Sequence, residues 1–150
     1  MPFEEKVTWV SAVVFTIVPV AYVVDVLGQL GQMPASEIAY QRPMLIAIGV
    51  SIVLTILGSI ATGIGSGITA EIMEPGSGAD IGRSDERDAT INRRGELVGY
   101  YVSSVGVVAA MALTMLEYDY FWIANALYLG FVIASLVAAA VKLVAYRRGF

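Results

Sequence analysis

Four uninterrupted apolar stretches set the pattern of the chain: residues 7–27, 44–70, 97–116 and 121–146. Each is about as long as the roughly 20 residues a helix needs to cross a bilayer. None alternates between apolar and polar positions as a half-buried strand would, and none shows a single apolar stripe of the kind that marks a soluble helix. The pattern therefore predicts an all-α, integral membrane fold of four transmembrane helices in one domain, 1–150. The polar segments between them are unequal. Gly28 to Pro43 forms a loop with Gly and Pro punctuation, Glu74 to Arg83 forms a turn, and Glu117 to Asp119 is short enough to make the last two helices antiparallel neighbours.

A different pattern precedes the third stretch. In "RSDERDATINRRGELVGYY" (Arg83 to Tyr101) charged residues crowd together. Ser84 is a plausible N-cap, with Asp85, Glu86 and Asp88 in a first turn where the helix dipole favours negative charge. Nothing from Asp85 to Leu116 breaks a helix outright. The segment 84–96 therefore reads as a helical extension of the third span. On a helix, Asp85, Asp88, Asn92 and Glu96 share an acidic and polar face, while Arg87, Ile91 and Arg94 share another. Two faces of unlike charge suit docking against a partner, so Asp85, Glu86, Arg87, Asp88, Asn92 and Glu96 are candidate partner-binding residues. The plainer reading is a solvated helix end whose arginines hold topology.

Basic residues fix the expected orientation. Lys6, the four arginines Arg83, Arg87, Arg93 and Arg94, and the pair Arg147 and Arg148 lie on one side, and only Arg42 lies on the other. Positive residues collect on the cytoplasmic side, so both termini and the 84–96 extension are expected in the cytoplasm of a plasma-membrane protein. Trp9 then marks the inner interface, with Tyr22, Tyr40 and Tyr118 to Trp122 at the outer one. The acidic "MPFEEK" start and the long first apolar run argue against a cleaved signal. A mean hydropathy of +0.74 and only 15% charged residues agree with a chain immersed in lipid.

Small residues suggest how the helices pack. Gly63 and Gly67 on the second helix, and Gly95, Gly99, Ser103 and Gly106 on the third, fall at spacings that let helices approach closely. The expectation is that these two stripes pack together, or that one pairs across a homodimer. The alternative is that the glycine-rich second helix borders a cavity. Pro19 should kink the first helix and free the carbonyl of Phe15.

Chemistry is sparse. The chain has no Cys and no His, which removes thiol chemistry and most zinc sites. Asp80, Asp85 and Asp88 match no known calcium-loop spacing, and no phosphate-cradling motif occurs. No cofactor, metal or nucleic-acid partner is expected, and an enzyme ranks last among the readings. Asp25, near the outer end of the first span, is the best-placed carboxylate for a transporter, ahead of Glu71 and Glu74 near the inner surface, and a hydrated interfacial residue is its plainer reading.

Asp85-Glu86-Arg87, Ile91, then Gly95, Gly99 and Tyr100 resembles a group of small bacterial and archaeal four-helix membrane proteins of unknown function. In that group the same motif opens the third helix, and an acidic-basic cluster before a Trp, as in "EEKVTW" (Glu4 to Trp9), opens the first. The resemblance implies a regulatory role. The glutathione-using four-helix membrane enzymes place a related Glu-Arg motif on the second helix with other spacing. Small multidrug transporters carry a glutamate in the middle of the first helix, which this chain lacks. The first expectation is thus a homodimeric interaction or regulatory protein whose D-E-R helix end docks a partner. The second is a small transporter or channel using Asp25 and the second helix.

Overall fold

The computed structural model describes residues 3–73 and 86–148. Four helices occupy nearly all of them: α1 (Phe3–Leu30), α2 (Gln41–Met73), α3 (Glu86–Met115) and α4 (Tyr120–Arg148), with a short 3-10 turn, Ala35–Glu37, between α1 and α2. Each of the four is long and apolar enough to cross a membrane. Ser84 and Asp85, which the sequence places at the start of the third helix, lie outside the described residues. Hydroxyl side chains within the helices bond back to the carbonyl one turn earlier, as Thr8 does to Glu4 and Thr62 to Gly58. This leaves few unpaired polar groups on surfaces that lack water.

The exterior is apolar. Val20, Val24, Leu45, Ile46, Val105 and Met115 are each more than half exposed, a surface that would be unstable in water and is ordinary in lipid. The α1 and α4 helices form the inner pair, α2 packs on α1, and α3 packs on α4. One end of the array carries the start of α1, the start of α3 and the end of α4. It is called here the termini end, and the opposite one the loop end.

The glycine stripe of α3 meets α4, in contrast to the expected pairing with α2. A Cβ on Gly106 would come within 2.8 Å of the Gly130 Cα, and one on Gly99 within 3.1 Å of the Ala138 Cβ. The opposing stripe on α4 is Ala126, Gly130, Ala134 and Ala138, at four-residue spacing. Close backbone approach of this kind maximises dispersion contacts where no hydrophobic effect separates helix from lipid. On α2, a Cβ on Gly63 would meet the ring of Phe3, whereas one on Gly65 or Gly67 would meet no atom within 4 Å among the described residues.

The main core lies at the loop end. Tyr22, Val26, Ile38, Met44, Phe121 and Tyr128 are buried together. Ile38 plugs it from the α1–α2 loop, and Tyr40 meets Phe121 edge-on at 5.4 Å. Tyr22 and Phe121 are therefore not interfacial belt residues; each turns inward. Tyr118 and Tyr120 remain exposed. The Tyr22 hydroxyl donates to Asn125 Oδ1 at 2.8 Å, and Asn125 Nδ2 donates to the Phe121 carbonyl at 2.8 Å. One buried amide thus ties α1 to α4. Tyr128 packs edge-on against Tyr22, and its own buried hydroxyl has no hydrogen-bond partner.

The α3–α4 turn closes with two hydrogen bonds, Tyr118 N–H to the Leu113 carbonyl and Glu117 N–H to the Thr114 carbonyl. This is the Schellman pattern, whose pivot residue is left-handed and usually Gly. Here the pivot is Glu117, at φ 57°.

Candidate functional site

The termini end gathers most of the described charges, and helix geometry sorts them. Ile91 is the most deeply buried large side chain, packed with Ala145 and Tyr146 of α4. With Ile91 pinned inward, the flanking polar residues fall to two sides. On one side Asn92 Nδ2 donates to Glu4 Oε2 of α1 at 3.4 Å. Asp88 is half-buried on this side. Glu96 pairs with Lys142 of α4 at 3.6 Å. Gly95 makes that pair feasible: the Lys142 stem lies where a Gly95 Cβ would stand, so the ammonium extends across α3 towards the carboxylate.

On the other side Glu86, Arg87, Thr90 and Arg94 line a shallow depression of about 380 Å³ floored by Ile91. Glu86, Arg87, Thr90 and Arg94 are exposed. Thr90 spends its hydroxyl on the Glu86 carbonyl. A guanidinium here presents a planar fork of donors suited to carboxylate or phosphate.

The predicted partner-binding set is therefore divided. Asn92 and Glu96 bond to the protein's own helices, Asp88 is half-buried, Glu86 and Arg87 are exposed, and Asp85 lies outside the described residues. Arg94 and Thr90 belong to the outward face and were not in that set. The sequence also did not bring in Glu4, Lys142 and Tyr146, although a charged start of α1 and a basic end of α4 on the same side were the available signal. Arg147 lies over the Trp9 ring, 5.8 Å from its centroid, and Lys6 Nζ donates to Ser66 Oγ at 3.0 Å. These contacts fasten α1 to α4 and α2.

Asp25 lies at the loop end. It is exposed, accepts a hydrogen bond from Gln29 Nε2 at 3.3 Å, and stands at the rim of an apolar groove between α1 and α2. Gly63, beside Phe3, belongs to the other end of the molecule, so the structure does not bring Asp25 and the α2 glycines together. Ser103 bonds to the Tyr100 carbonyl of its own helix. No group of three or more acidic residues among the described residues is placed to hold a metal ion.

In comparisons with known proteins, no family model, no curated protein and no solved structure matches this chain. Its four long apolar helices and apolar exterior suggest a multi-pass membrane protein.

Proposed function

We propose that the chain is an interaction or regulatory protein of the plasma membrane, with both termini in the cytoplasm. It works as a homodimer, and the charged end of α3 is its docking surface. One observation carries this reading: α3 uses Ile91, Asn92 and Glu96 to hold its own bundle, yet leaves Arg87 exposed at the depression that Ile91 floors. The resemblance built on Asp85-Glu86-Arg87 supports the same assignment. The test is native mass spectrometry of protein extracted gently from its own membrane, wild type beside Arg87→Ala. A second protein that is bound to wild type and lost from the variant is the expected result. A homo-oligomer without any partner, unchanged by the substitution, would count against docking.

A second reading rests on Asp25 at the mouth of the α1–α2 groove, which is about 460 Å³ and otherwise apolar. There the chain is a small transporter or channel and Asp25 binds the coupled ion. Flux into proteoliposomes under pH and voltage gradients decides it. Equal inertness of wild type and Asp25→Asn would remove its only residue-level support.

A further inference from the structure

The molecule contains a second concavity that the docking surface does not use. It lies between α2 and α4 at the loop end, has a volume of about 440 Å³, and is walled by Met44, Ile48 and Ser51 on one side and Ala124, Tyr128 and Phe131 on the other. Phe15 of α1 also lines it. Its origin is simple. Both α2 and α4 pack on α1 but hardly on each other, so α1 holds them apart, and the small Ser51 and Ala124 leave the gap unfilled. We propose that this cavity is a binding site for one acyl chain of a phospholipid from the leaflet at the loop end.

Three properties select that occupant. No charged side chain lines the cavity, so a ligand's polar head must stay outside while an apolar portion enters. The lining on α4 runs from Ala124 to Val132, about 12 Å of rise at roughly 1.5 Å per residue. That depth approaches the roughly 15 Å of hydrocarbon in one leaflet. At its rim Ile52, Leu127 and Phe131 are exposed, so the cavity is continuous with the apolar exterior and open to a chain arriving sideways.

Ala124→Phe fills the cavity from its wall and Leu127→Trp closes it from its exposed rim. Native mass spectrometry of wild-type protein, released from vesicles of defined phosphatidylcholine and phosphatidylethanolamine, should show one phospholipid retained per chain after detergent washing. Both variants, checked by circular dichroism for unchanged helix content, should lose it at least tenfold more readily. Wild type that retains no phospholipid, or that retains only a free fatty acid, overturns the proposal whatever the variants do. So does equal retention by the variants. Arg87→Ala should retain lipid as wild type does, so loss of docking and loss of the lipid site are read separately.

Discussion

At the scale of single residues, Gly106 and Asn125 each fix a contact between helices. Gly106 crosses Gly130 so closely that a Cβ at either meets the other's backbone. Gly106→Val should therefore push α3 from α4 and cost about 1–3 kcal/mol, read as a lower melting temperature in detergent. Gly65→Ala, in open space on α2, is the matched control. It should leave melting unchanged or raise it slightly, since Ala favours a helix interior over Gly by up to about 1 kcal/mol. Asn125 and Tyr22 form the buried hydrogen bond between α1 and α4. A double-mutant cycle with Asn125→Leu and Tyr22→Phe should give a coupling of about 0.6–2 kcal/mol, the range for such bonds between membrane helices. Coupling near zero would mean the bond contributes no net stability. Glu117 holds a left-handed backbone that glycine adopts without strain. Glu117→Gly should then stabilise the α3–α4 turn by about 1 kcal/mol, measured by the same melting experiment.

At the scale of elements, α3 is two things in one helix: an apolar span and a charged end. The ion pair and hydrogen bond at that end are partly exposed and long, 3.6 and 3.4 Å, and such contacts contribute roughly 0–1 kcal/mol. Asn92→Ala should hardly change melting temperature, and a fall of several degrees would show a stronger tie than its length implies. The existence of α1 to α4 was legible because apolar run length is a direct physical requirement of crossing lipid. Their pairing was not. In lipid both faces of a helix are apolar, so periodicity no longer marks the buried face. The stripe of Gly95, Gly99 and Gly106 stood out, but its counterpart, Ala126, Gly130, Ala134 and Ala138, was concealed within an alanine-rich helix. Tyr22 was read as an interfacial residue because nothing local announces that Asn125, far along the chain, accepts a hydrogen bond from its hydroxyl. The same holds at the charged end. Helical spacing grouped Ile91 with Arg87 and Arg94, whereas Ile91 packs against α4, and the polar face finds its partners in Glu4 and Lys142 of other helices.

At the scale of the whole molecule, the four spans run in the packing order α2, α1, α4, α3. The expected orientation can be checked directly because the chain lacks cysteine. A single Cys at Ser36, exposed in the α1–α2 loop, should react with an impermeant maleimide on intact cells. One at Thr90 should react only after lysis. The reverse result would invert the protein in its membrane. The packing order also bears on how the chain is made. The first helix settles against the last, through Tyr22 and Asn125 and through Trp9 and Arg147, while α3 finds its glycine partner only there too. Until the ribosome has delivered α4, then, α3 has no helix to pack on and α1 has only α2 beside it. A nascent chain stalled before Tyr120 should be a poorly assembled substrate for membrane proteases, and extension through α4 should convert it into a protected one.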